Sequence, residues 1–62
     1  MDILGCIDYL AQRGELVIAG NQVAFLSDEL GIELHLAAYD RRSYEQALRE
    51  CVSRAKDVVL NG

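Results

Sequence analysis

A Gly-Asn pair at positions 20 and 21, set between two runs of strand-forming residues, constrains this chain more than any other feature. The runs are Glu15-Leu16-Val17-Ile18-Ala19 and Gln22-Val23-Ala24-Phe25-Leu26-Ser27. Two loop residues between antiparallel strands call for a primed turn, and glycine in the first loop position suits type II′, whose twist matches the strands it joins. A two-residue loop also fixes the register. Ala19 faces Gln22, Ile18 faces Val23, Val17 faces Ala24 and Leu16 faces Phe25, so one side of the ribbon carries Leu16, Ile18, Val23 and Phe25.

Residues 32–36 alternate Ile32, Glu33, Leu34, His35 and Leu36, the period-two pattern of a half-buried strand. Asp28, Glu29, Leu30 and Gly31 before it suit a type I turn with Gly31 in the left-handed region. Pairing continued across that loop puts Ser27 opposite Ile32, Phe25 opposite Leu34 and Val23 opposite Leu36. The third strand therefore adds its apolar residues to the same face as the hairpin. A rival arrangement caps a helix with Ser27 and runs it from Asp28 to Tyr39, with Leu30, Leu34 and Ala38 as its stripe. Gly31 in its first turn and the strict alternation that follows both oppose it.

Helical periodicity flanks this meander on both sides. Ile3, Cys6, Ile7, Leu10 and Ala11 recur at helical spacing over residues 2–13, with Asp2 as N-cap, Gly14 as a left-handed stop, and Asp8, Tyr9, Gln12 and Arg13 on the solvent side. In the last third, Ser43 with Gln46 fits a capping box. Tyr44, Ala47, Leu48, Cys51, Val52, Ala55, Val58 and Val59 then form a wide apolar stripe. Opposite it, Glu45 precedes Arg49 and Glu50 precedes Arg54 at the spacing of helical ion pairs. The expected fold is α+β: helix, three-stranded antiparallel β-meander, helix, as one domain over residues 1–62.

Size decides what such a fold can hide. A chain of 62 residues buries only about 60% of the surface it exposes when unfolded, yet 52% of this one is hydrophobic. Some apolar surface is left for a partner, and self-association is the usual remedy where disulfides and structural metals are missing. Cys6 and Cys51 fall on the apolar stripes of the two helices, where a free thiol acts as a small hydrophobe. Reduced thiols, and the absence of a signal-like or membrane-length apolar stretch, point to the cytosol.

No catalytic, metal or cofactor constellation stands out. His35, the single histidine, falls on the face away from Leu34 and Leu36, without the partners that a general base or metal ligand needs. Glu15 and Glu33 flank Leu26 on that face, as solvated or edge-protecting charges rather than an acid/base dyad. Ser27, Ser43 and Ser53 have no histidine at recognisable spacing, and no glycine-rich loop precedes a helix. Residues 26–32 superficially match the first helix and turn of a helix-turn-helix, but residues 33–38 offer no Arg, Lys, Asn or Gln to read bases.

The charge is uneven. Residues 1–40 hold seven acids against Arg13, a net −6, whereas residues 41–62 hold five bases against three acids, a net +2. The expected function is non-catalytic: a cytoplasmic protein-interaction or regulatory module, acting as a homodimer that binds another protein, with no membrane and no cofactor. Val17, Ala24 and Leu26 would supply the apolar contact, with Glu15, Glu33 and His35 as its rim. That surface is free only if both helices lie on one face of the sheet; one helix on each face would leave nothing over. The alternative is a nucleic-acid-associated regulator using Arg41, Arg42, Arg49 and Arg54.

Overall fold

A computed structural model describes residues 2–61. It has α1 (Ile3–Ala11), β1 (Glu15–Ala19), β2 (Gln22–Ser27), β3 (Ile32–Ala37) and α2 (Arg41–Asn61), with the strands as an antiparallel meander in the order β1-β2-β3. The register is the one the turn dictates. Ala19 pairs with Gln22, Leu16 with Phe25, Phe25 with Leu34 and Ser27 with Ile32. Gly20 has φ +56° and, among the described residues, no non-glycine residue has positive φ, the sign pattern of type II′ rather than I′. Gly31, at φ +66°, donates its N–H to the Asp28 carbonyl at 3.3 Å, and Asp28 to Tyr39 is turn and strand rather than helix.

Both helices lie on one face of the sheet. α1 packs on β1, α2 packs on β2 and β3, and the helices pack on each other. Phe25, Val23, Leu10, Cys6 and Cys51 are the largest fully buried side chains, surrounded by Ile32, Ala38, Ala47, Leu48, Val52 and Ala55. Full burial of a side chain such as Phe25 or Leu10 contributes about 1.5–3 kcal/mol. Both cysteines are free thiols in this core, and burial, with Glu50 adding to it, pushes the Cys51 thiol pKa up. α2 sets the long dimension. Its 21 residues at about 1.5 Å each account for the 32 Å extent of the molecule, and Val59 and Leu60 are exposed at its end.

Four local expectations change. Gly14 is not left-handed; α1 ends through Gln12 in αR geometry, and the N–H groups of Arg13 and Gly14 both donate to the Leu10 carbonyl at 3.0 Å. Glycine is needed there for space, since a Cβ would lie 2.3 Å from the Leu26 carbonyl oxygen. α2 starts earlier than Ser43. Asp40 is the residue before the first turn, its Oδ1 accepting the Ser43 N–H at 2.9 Å while Ser43 Oγ accepts the Asp40 N–H at 3.0 Å, a reciprocal box three residues upstream of the expected one. The Ser43 backbone N–H, and after it the Ser43 hydroxyl, which also donates to Oδ1 at 2.8 Å, hold the Asp40 carboxyl below its ordinary pKa.

Tyr9 is not on the solvent side but packs half-buried against the core, with the Arg13 guanidinium 3.6 Å from its ring centroid and Lys56 of α2 at 5.6 Å. Glu45 pairs with Arg41 at 3.5 Å rather than with Arg49. A smaller departure concerns Ile18. It is on the helix side by register but remains 49% exposed, because β1 is an edge strand and the nine-residue α1 is too short to cover its hairpin end.

Four hydrogen bonds lock the ends of the meander. Ser27, 4% exposed, donates Oγ to the Arg13 carbonyl at 2.7 Å and accepts the Leu30 N–H at 3.1 Å, tying the α1–β1 loop to the β2–β3 turn. At the other end the Ala38 N–H donates to the Asn21 carbonyl at 2.9 Å, and the Tyr44 hydroxyl donates to the Gly20 carbonyl. The hairpin turn is thereby held against the start of α2.

Candidate functional site

The face of the sheet opposite the helices is a grid of three lateral rows set by the register: Glu15-Leu26-Glu33, Val17-Ala24-His35 and Ala19-Gln22-Ala37. Each row follows from strand parity, because residues two apart along a strand return to the same face. The structure therefore brings together all six residues expected from the sequence: Val17, Ala24, Leu26, Glu15, Glu33 and His35. None of them belongs to the helix-side core.

Val17 is 39% exposed and Leu26 is half-buried, while Ala24 is buried at the grid centre because its methyl is shorter than every neighbour's side chain. Around these lie Ala19, Gln22 and His35, and together the six line a shallow depression of about 250 Å³. The rim is acidic on one side. Glu15 and Glu33 bracket Leu26 across neighbouring strands, and both are exposed.

His35 organises the other side. The Gln22 side-chain amide donates Nε2–H to His35 Nδ1 at 2.7 Å, so the ring carries its proton on Nε2, which donates to Glu33 Oε2 at 3.1 Å. One imidazole in the middle row thus links the two outer rows. The sequence placed Gln22 on this face but gave no sign of its bond to His35, since the two are diagonal rather than directly paired.

His35 has no thiol near it, for Cys6 and Cys51 lie in the core on the other side of the sheet. Among the described residues, no group of three or more His, Cys, Asp or Glu side chains is placed to hold a metal ion. No helix among them is long and apolar enough to cross a membrane. The grid offers contact surface and hydrogen-bonding groups, with no nucleophile and base in reach of each other.

The basic residues of α2 do not converge. Arg42 and Arg49 are exposed, as is Arg54, but Arg54 lies roughly 120–140° around the helix axis from the other two. Arg41 is paired with Glu45, and Glu50 and Asp57 interrupt the remaining surface. A larger open depression, about 430 Å³, lies where the first turns of α1 and α2 meet, lined by Leu4 and Tyr44 among Asp2, Glu45, Arg41 and Arg49. Its charges are of both signs and partly paired, which gives it no preference for either sign of ligand.

No protein-family model, curated protein or solved structure matches the chain. The functional reading consequently rests on the chain's own surface.

Proposed function

We propose that the chain is a non-catalytic, cytosolic protein-interaction or regulatory module that works as a homodimer and receives a second protein on the outer face of its sheet. The observation that carries this reading is the placement of both helices on one face, which leaves Val17, Ala24 and Leu26 uncovered inside a rim of Glu15, Glu33 and His35. An apolar patch with a polar rim is the anatomy of an interaction surface. The acidic rim favours a partner that presents apolar side chains flanked by Lys or Arg, since complementary charge steers encounter and fixes orientation.

Replacing Leu26 with Glu tests the reading. The new carboxylate would sit between Glu15 and Glu33 on the bare face, away from the core. The expected result is loss of partner capture from host extract with unchanged circular dichroism, whereas Arg49→Glu on α2 retains the partner. Capture that survives Leu26→Glu and is lost with Arg49→Glu would transfer the working surface to α2. Nucleic-acid binding has weaker support, because the arginines of α2 diverge around the helix and the chain carries a net charge of −4.

A further inference from the structure

We infer that the second copy in the homodimer pairs along the free edge of β1, strand against strand in antiparallel, with Val17 opposite Val17. This deepens the homodimer part of the reading above and shares Val17 with its partner-binding part. The argument begins with hydrogen-bond parity. In a hairpin with a two-residue loop the closing pair, here Ala19 with Gln22, exchanges its backbone bonds, and bonded and non-bonded pairs then alternate along the ladder. Ile18 and Leu16 fall in the non-bonded pairs, so their N–H and C=O groups point away from β2. Neither has a backbone partner elsewhere among the described residues.

An antiparallel copy centred on Val17 sets Leu16 opposite Ile18 and Ile18 opposite Leu16, each pair exchanging both backbone bonds. The open donors and acceptors of one edge meet those of the other with no slip and no bulge. The side chains agree with this register. Val17 meets Val17 on the outer face, and Ile18, half-exposed despite being on the helix side, gains Leu16 of the second copy as a neighbour.

Charge agrees as well. Glu15 stands opposite Ala19, so the two Glu15 carboxylates lie at opposite ends of the seam rather than face to face. The edge protection of β1 is limited to Glu15 at one end, since the strand has no Lys, Arg or Pro and a regular pairing without a bulge. The other edge differs: the outward-directed backbone of β3 belongs to Glu33, His35 and Ala37, where the Glu33 carboxylate is engaged with the His35 ring.

The product is a continuous sheet in which two three-stranded halves share one outer face and one helical face, related by a two-fold axis through Val17. Two measurements test it together. Hydrogen exchange on the unmodified chain should show the Leu16 and Ile18 amides slowing as concentration rises, while the Val17 and Ala19 amides, already bonded to β2, do not change. In light scattering, Val17→Asp and Val17→Lys should each give the 6.9 kDa monomer, and an equimolar mixture should restore a dimer, because position 17 faces only itself.

Leu26→Glu, on β2 and away from the seam, should keep the dimer while losing the captured partner, which separates this inference from the outer-face reading; loss of the dimer with Leu26→Glu would overturn it. A chain that stays at 6.9 kDa at every concentration overturns the proposal. So does a dimer with freely exchanging Leu16 and Ile18 amides, or an Asp and Lys mixture that fails to pair.

Discussion

Replacing Gly14 with Ala should destabilise this domain more than the small size of a methyl group suggests. An added Cβ would lie 2.3 Å from the Leu26 carbonyl oxygen, 2.9 Å from Ser27 Cβ and 3.0 Å from Ser27 Cα. None of these atoms is the end of a flexible side chain, so the loop must move as a unit. That movement stretches the bond from Ser27 Oγ to the Arg13 carbonyl, now 2.7 Å. Overpacking costs about 1–3 kcal/mol, and a weakened buried hydrogen bond roughly 1 kcal/mol more. The reduced freedom of the unfolded chain returns about 0.4–1 kcal/mol. The net loss is about 1–3.5 kcal/mol, against a total stability on the order of 3–9 kcal/mol for a domain of this length. Urea unfolding should show that loss, and the thermal midpoint should fall by roughly 5–25 °C. Gly20 supplies the contrast. It has positive φ with open space around it, so a side chain at 20 is strained by backbone conformation alone, whereas at 14 it is opposed by a direct clash. A Gly14→Ala protein within about 0.5 kcal/mol of the unmodified chain, inside the scatter of ordinary surface substitutions, would refute the steric argument.

Two further outcomes follow from the same corner and from the start of α2. Ser27→Ala leaves the Arg13 carbonyl and the Leu30 N–H without their buried partner, and should lower stability by about 1–3 kcal/mol in chemical denaturation. Because its bonds to Ser43 depress the Asp40 pKa, the stabilisation they give is fully present above the unfolded-state value and is lost as pH falls through the lower, folded-state value. A carboxyl-detected NMR titration should place the Asp40 midpoint below that of a free aspartate, and Ser43→Ala should move it only part of the way back, because the Ser43 backbone N–H, the larger cause, is kept.

Much of the architecture was legible because the strand pattern and the turn chemistry are local and agree. Gly20 and Asn21 set the hairpin register, the alternation from Ile32 to Leu36 extended it, and the six residues of the outer face followed by parity alone. What was not legible depends on contacts between elements. Ser43 and Asp40 are both good capping residues three apart, and only the reciprocal bonds decide that Asp40 leads and Ser43 answers. Gly14 looked like a helix stop because that is the commoner use of glycine after a helix, whereas its role comes from the approach of Leu26, distant in sequence. Tyr9 is drawn inward by Arg13 and Lys56 across two helices. Parity put Ile18 on the helix side without revealing that a nine-residue α1 cannot cover it.

An NMR titration of the isotope-labelled chain with the protein it captures is the most direct measurement of where the partner sits. Shifts concentrated at Val17, Ala24, Leu26, Glu33 and His35, with the amides of Arg42 and Arg49 unmoved, are the predicted result. Shifts confined to α2, with the sheet silent, would contradict the assignment of the outer face.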